Sequence, residues 1–331
     1  MRHQSGLVTT LALGALSLSL ASCNDQPMQP NASDAGPHVA AATAPLPDTW
    51  IERAPDPVDR IAVVTADVPN TAGQSVLYVI GGWLRGVSAQ GLKVVEAYNV
   101  ATNTWSRKRD LPIGLSYING AGVIRGKIYI AGGFRQNYAW TTWAVFVYDP
   151  AKDTWTRLRD MPVRGSSGVA GVIGDKLYVQ EPGDIKYWWP NPGVIPDQAP
   201  RHFFRYDPAT NKWTTLPSPA HAYFMGGVLY GKLYLIGNHT EAYDPATNKW
   251  TSKAPPPSDG LNIWGSAVPA QAKLYVFGSS RTLVYAPLSD RWTVRLSPHR
   301  VTIGPVAARV FVDGKPRIEV LGEGINYQYV P

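Results

Sequence analysis

The chain has 331 residues, 44% apolar and 17% charged, with 31 Lys and Arg against 24 Asp and Glu and a formal charge of +7. That apolar content can fill a large core. The basic surplus is scattered without a Lys/Arg run, which argues against a nucleic-acid partner and suits anionic ligands or an anionic envelope surface. A single cysteine, Cys23, excludes an intramolecular disulfide and any paired-cysteine metal centre.

From the N-terminus, Arg2 precedes an apolar run from Leu7 to Leu20, too short for a comfortable membrane span but suited to a signal peptide. It ends in Leu20-Ala21-Ser22-Cys23, which resembles a bacterial lipobox. That resemblance implies cleavage after Ser22 and acylation of Cys23, so the membrane is a partner through an N-terminal lipid anchor. Asn24 follows rather than Asp, which points to the outer membrane, on its periplasmic or surface side. Without residues 1–22 the formal charge becomes +6, since they hold Arg2 and no acid. Residues 23–47 are the lipidated cysteine and a flexible tether rich in Pro, Ala, Asn and Asp.

Residues 48–331 are organised by a recurring frame, Tyr148-Asp149-Pro150-Ala151-Lys152-Asp153-Thr154-Trp155. It returns as Tyr98 to Trp105, Tyr206 to Trp213, Tyr243 to Trp250 and Tyr285 to Trp292. An Asn or Asp stands two residues before each tryptophan (Asn103, Asp153, Asn211, Asn248 and Asp290). These types tolerate the left-handed conformation that ends a tight turn. Each copy therefore reads as an antiparallel hairpin with an aromatic anchor on either arm, and the tryptophans as core. Upstream lie a strand such as Ile128-Tyr129-Ile130-Ala131-Gly132-Gly133 and, before it, a small-residue strand such as Gly120-Ala121-Gly122-Val123. Glycine in a strand marks close backbone approach.

Four strands per unit with periodic glycine and aromatic positions indicate a β-propeller. The order hydrophobic-Gly-Gly, Tyr, Trp resembles the kelch repeat over nearly all of residues 48–331. The glycine pair is complete only at Gly81-Gly82 and Gly132-Gly133. The fold class expected is all-β, a six-bladed kelch β-propeller whose last blade is closed by an N-terminal strand. Asp48-Thr49-Trp50 supplies the outer strand that the chain end, Tyr329-Val330-Pro331, lacks.

One face gathers the loops between second and third strands with those between blades. In blades one to three the first kind are long and aromatic, which suits contact with a carbohydrate or a protein partner. Candidate binding residues there are Trp83, Arg85, Arg135, Tyr138, Trp140, Tyr187, Trp188 and Trp189. The blade-to-blade loops add Arg60, Arg164, His221 and Arg300, with Tyr117, Asn119, Ser166, Tyr223, Asn262, Trp264 and His299 nearby. Arg60, Arg164 and Arg300 would make an electropositive mouth, unless acids such as Asp56, Asp59 or Asp259 pair with them.

No Gly-x-Ser-x-Gly, Walker loop or His-Glu-x-x-His occurs, so no cofactor and no metal are expected. The resemblance extends to two enzyme families with kelch rings, galactose oxidase and N-acetylneuraminate epimerase. The first implies a copper site cross-linked through cysteine, which a chain with only Cys23 cannot build. The second implies sugar mutarotation, which needs an acid/base and a carboxylate clamp. Glu181 and His221 are candidate bases on the presumed face and Arg164 or Arg300 a candidate clamp, and no catalytic residue is assigned. A non-catalytic, envelope-anchored binding protein is the reading expected from the residues, and a periplasmic mutarotase or other carbohydrate-active enzyme is its alternative.

Overall fold

A computed structural model describes residues 47–85, 90–135, 141–182, 201–257, 267–278, 281–296, 306–322 and 324–331. Each Tyr-to-Trp frame is a hairpin in which the two aromatics face each other across the strands. Tyr98 pairs with Trp105, Tyr148 with Trp155, Tyr206 with Trp213, Tyr243 with Trp250 and Tyr285 with Trp292. The Asn or Asp before each tryptophan has φ between 50° and 57°. Its side chain also accepts the hydroxyl proton of its own tyrosine at 2.5–2.7 Å.

The same corner reaches into the preceding blade. Arg109 N–H donates to Asp153 Oδ1 at 2.8 Å, while Trp155 Nε1 donates to Arg109 O at 3.0 Å. Ala54, Arg159 and Ala254 serve Asn103–Trp105, Asn211–Trp213 and Asp290–Trp292 in the same reciprocal way. In blade four the partner is Pro217, which has no N–H to give, and only the Trp250 bond to its carbonyl remains. The six tryptophans are half-buried rather than fully interior as the repeat suggested; the tyrosines are the fully buried partners. The indole must keep its N–H beside the neighbouring blade's carbonyl at the outer rim.

Six four-stranded sheets result. From inner to outer strand, blade one is Val64–Asp67, Val76–Ile80, Val95–Asn99 and Thr104–Arg107. Blade two is Ala121–Ile124, Lys127–Ala131, Val145–Asp149 and Thr154–Arg157, and blade three Val169–Ile173, Lys176–Glu181, His202–Asp207 and Lys212–Leu216. Blade four is Met225–Leu229, Lys232–Ile236, Thr240–Asp244 and Lys249–Lys253, and blade five Ala267–Ala270, Lys273–Phe277, Arg281–Ala286 and Arg291–Leu296. Blade six takes Val306–Val312, Lys315–Gly322 and Ile325–Val330 from the chain end and Thr49–Glu52 from its beginning. The register is Thr49 to Val330 and Trp50 to Tyr329, and Tyr329 Oη donates to Asp48 as the sixth copy of the corner. Each inner strand lies against the inner strands of both neighbours, Val306–Val312 against Val64–Asp67 included, so the ring closes.

Between blades the core is a ladder of tyrosines. The second-strand tyrosine of one blade meets the third-strand tyrosine of the next in Tyr78–Tyr148, Tyr129–Tyr206, Tyr178–Tyr243, Tyr234–Tyr285 and Tyr275–Tyr329, with ring centroids 5.6–6.4 Å apart. Inner-strand glycines allow this packing: a Cβ at Gly122 would come within 2.5 Å of Val172 and 2.6 Å of Leu177 in the next blade.

Candidate functional site

The connections between second and third strands differ by blade. Those of blades four to six run over 237–239, 278–280 and 323–324, whereas those of blades one to three span 81–94, 132–144 and 182–201. Those of blades one and two are tied to the blade-to-blade loops by a backbone belt. Tyr117 N donates to Ala62 O and Ser167 N to Tyr117 O, at 3.0 and 2.8 Å, and Ala62, Tyr117 and Ser167 all have positive φ. Gly82 N reaches Leu115 O and Gly133 N reaches Gly165 O, at 2.9 and 2.8 Å. At the first glycine of each pair, a Cβ would lie 2.4 Å from Leu115 O at Gly81 and 2.5 Å from Gly165 O at Gly132, with φ near +70° at both. The complete Gly-Gly pairs thus sit where a long loop must dock on the next blade.

Two of the expected contact residues are internal. Arg60 is 3% exposed. Its Nε donates to Asp56 Oδ2 at 3.0 Å, Nη1 to Gly81 O and Val94 O, and Nη2 to Val79 O and, at 3.4 Å, to Glu96 Oε2. A guanidinium that must satisfy three carbonyls and two acids cannot also serve the mouth. Burial pushes the Glu96 carboxyl up to about 6, and the adjoining Asp56 adds to this against the pull of Arg60. Trp83, 8% exposed, stands edge-on to Tyr117 at 4.9 Å, and Tyr117 meets Phe134 at 5.7 Å in the same way. These rings wedge the long loops onto the blades.

What the face does present is cationic. Arg85, Arg135 and Arg164 are exposed. The Arg164 guanidinium lies over the ring of Trp143, 4.8 Å from its centroid, and Trp143 is itself 43% exposed. The backbone holds the pair in place through the Thr142–Gly165 bridge and a 2.8 Å bond from Met161 N to Trp143 O. Trp143 was not among the residues singled out from the sequence. It lies outside the repeat frame, as Trp83 does, and only tertiary contacts decide which of the two is covered.

His221 occupies a different setting. Glu241, 4% exposed, accepts from Tyr223 Oη at 2.7 Å and from the backbone N–H groups of Ala220 and His221. His221 Nδ1 lies 3.7 Å from Glu241 Oε2, and its ring stacks on His239 at 3.8 Å. Glu241 and Glu96 hold the same frame position, two before the tyrosine, and each fastens its blade's incoming loop. Glu181 fills the place of the first glycine in blade three. It is 1% exposed and presses on Gly165, where an added Cβ would meet it at 1.7 Å, so its carboxyl is not presented on the face. Asn119, Ser166 and Tyr223 are likewise buried, Asn119 accepting from Gly168 N at 2.9 Å. Tyr138, Trp140, Tyr187, Trp188, Trp189, Asn262, Trp264, His299, Arg300 and Cys23 lie outside the described residues. Among the described residues, no group of three His, Cys, Asp or Glu could hold a metal ion.

The Kelch motif model matches residues 66–112 and 119–162, the first two blades. The chain is a six-bladed propeller with kelch motifs. The Kelch-like protein terF of Aspergillus terreus (strain NIH 2624 / FGSC A1156) is 29% identical over 252 residues, 71% of this chain and 49% of that protein. The chain thus spans about half the length of that curated relative. The solved structure of YjhT is similar in fold, with a TM-score of 0.53 and 16% identity, over 71% of this chain and 84% of that one. The motif matches lie in the two blades whose Gly-Gly pairs are intact. A kelch propeller suggests a protein-binding scaffold.

Proposed function

We propose that this kelch propeller is a non-catalytic binding protein of the cell envelope. It holds a partner on the loop face of blades one to three and is tethered by a lipid on Cys23. The observation that carries the reading is the exposed Arg164–Trp143 pair. A guanidinium resting on an indole is held in place yet keeps its N–H edge for a ligand, and such a donor set suits a carboxylate. The partner best matched is a protein with an acidic segment. With one ring face occupied by the guanidinium, Trp143 is less suited to sugar stacking than a bare indole, so carbohydrate is the secondary ligand class. Arg85 and Arg135 add positive charge to the same connections, consistent with the net charge of +7.

The test uses the full chain and two labelled peptides, one Glu-rich and one with every Glu replaced by Gln, read by fluorescence anisotropy. The Glu-rich peptide should bind and the Gln peptide should not. Arg164→Gln should weaken binding by about tenfold or more, in line with the ~1.5–3 kcal/mol of a hydrogen bond to a charged group. Arg164→Lys should fall in between, and Trp143→Leu should cost a few-fold although the charge is unchanged. Equal binding of the two peptides, or no loss in Arg164→Gln, would contradict the acidic-segment reading. Preferential capture of a neutral glycan would move the assignment to carbohydrate. In cell fractions, Cys23→Ser should shift the protein from membrane to soluble material; a variant that stays with the membrane would refute the anchor.

A further inference from the structure

Five of the six blade junctions are closed by tyrosine against tyrosine, and the sixth is not. In blade six Ile318 pairs with Tyr329 as Leu77 does with Tyr98, so Glu319 stands where Tyr78 and its counterparts stand. This is the junction between blades six and one, beside the strand that latches the ring. Glu319 is fully buried. Its Oε1 accepts from Gln328 Nε2 at 2.6 Å, whereas Oε2 is buried without a hydrogen-bond partner among the described residues. Asn326 Oδ1, on the same face of the sheet, is a second buried acceptor with no donor among the described residues. The groups facing Glu319 are Gln328 from its own sheet, Tyr98 from blade one and Arg53 from the segment following the latch strand. Arg53 is already engaged, with Nε donating to Tyr98 Oη at 2.9 Å and Nη2 to Val100 O at 2.6 Å.

A site with two unsupplied acceptors and a committed cation lacks a donor, and a proton on the carboxyl supplies one. We infer that Glu319 is a proton-dependent latch: protonated, it seals the junction where Thr49–Glu52 completes blade six, and ionised, it loosens that strand. In the sequence this strand follows the segment expected to carry the membrane anchor. Burial raises the carboxyl from 4.5 to about 7, with Gln328 and Arg53 opposing. An opened seam exposes Glu319 to water, where it ionises at its ordinary value. Opening therefore becomes easier as pH rises from about 4.5 to about 7 and levels off above that.

Native-state hydrogen exchange on the full chain tests this, with rates divided by the intrinsic rate at each pH. The opening constant of amides in Thr49–Glu52 should rise at least about tenfold between pH 5 and pH 8. The equivalent outer strand Thr154–Arg157, whose blade carries Tyr129 against Tyr206 at the position of Glu319, should stay flat. In Glu319→Gln the rise at Thr49–Glu52 should vanish. A flat response at Thr49–Glu52 in the unaltered chain overturns the latch, and so does an undiminished rise in Glu319→Gln. The first comparison stands even if the variant folds poorly. Neither depends on what the loop face binds.

Discussion

Arg60 shows how an expected contact residue becomes a structural one. From the sequence it was an arginine in a loop near the mouth. Its role follows from Asp56, Glu96 and the carbonyls of Val79, Gly81 and Val94, which converge only once the long loop of blade one has docked. Removing the guanidinium leaves two buried acids and several carbonyls without a donor. Arg60→Ala should therefore destabilise the protein by about 3–5 kcal/mol, read as a lowered denaturant midpoint. Arg164→Ala, at an exposed site, should change stability by less than about 0.5 kcal/mol. A near-neutral Arg60→Ala would return that residue to the list of ligand contacts.

At the scale of the element, the Tyr-to-Trp hairpin was the most legible part of the chain. Its left-handed Asn or Asp could be named from residue type, because the turn dictates the φ that those types tolerate. The bonds to the preceding blade could not, since Arg109 and Asp153 meet only when two hairpins are packed. Trp155→Phe keeps most of the ring contact and loses the bond to Arg109 O, so it should cost about 1 kcal/mol. Trp155→Ala, at a half-buried site, should cost about 2–4 kcal/mol, somewhat below the range for a fully buried indole. Thermal unfolding of both variants checks the order. Equal losses would mean that the hydrogen bond rather than the ring carries the corner. The Gly-Gly pairs were legible as a motif but not as docking points, because Leu115 and Gly165 belong to other segments.

At the scale of the molecule, the count of blades and the closure by Thr49–Glu52 were legible because the frame is truncated in a complementary way at each end. The substitution of Glu319 into the tyrosine ladder went unseen, since blade six lacks the Leu-Tyr signature that would have aligned it. The loop pattern of the face was partly legible. The uneven loop lengths were read from the repeat spacing, whereas the burial of Trp83 and Arg60 and the exposure of Trp143 were not. A closed ring is a stiff support, and the belt through Ala62, Tyr117 and Ser167 stiffens one sector of it further. The exposed Arg164–Trp143 pair in that sector is why the proposed partner is placed there. The most direct measurement places a photo-crosslinking residue at Trp143 in one full-length chain and at Tyr230 in another, each expressed in its native cells. Tyr230 is 49% exposed and lies in the turn between the first two strands of blade four, at the opposite ends of the strands. The account predicts a discrete cross-linked protein species from position 143 and none from position 230. Cross-links from position 230 alone, or none from position 143, would contradict it.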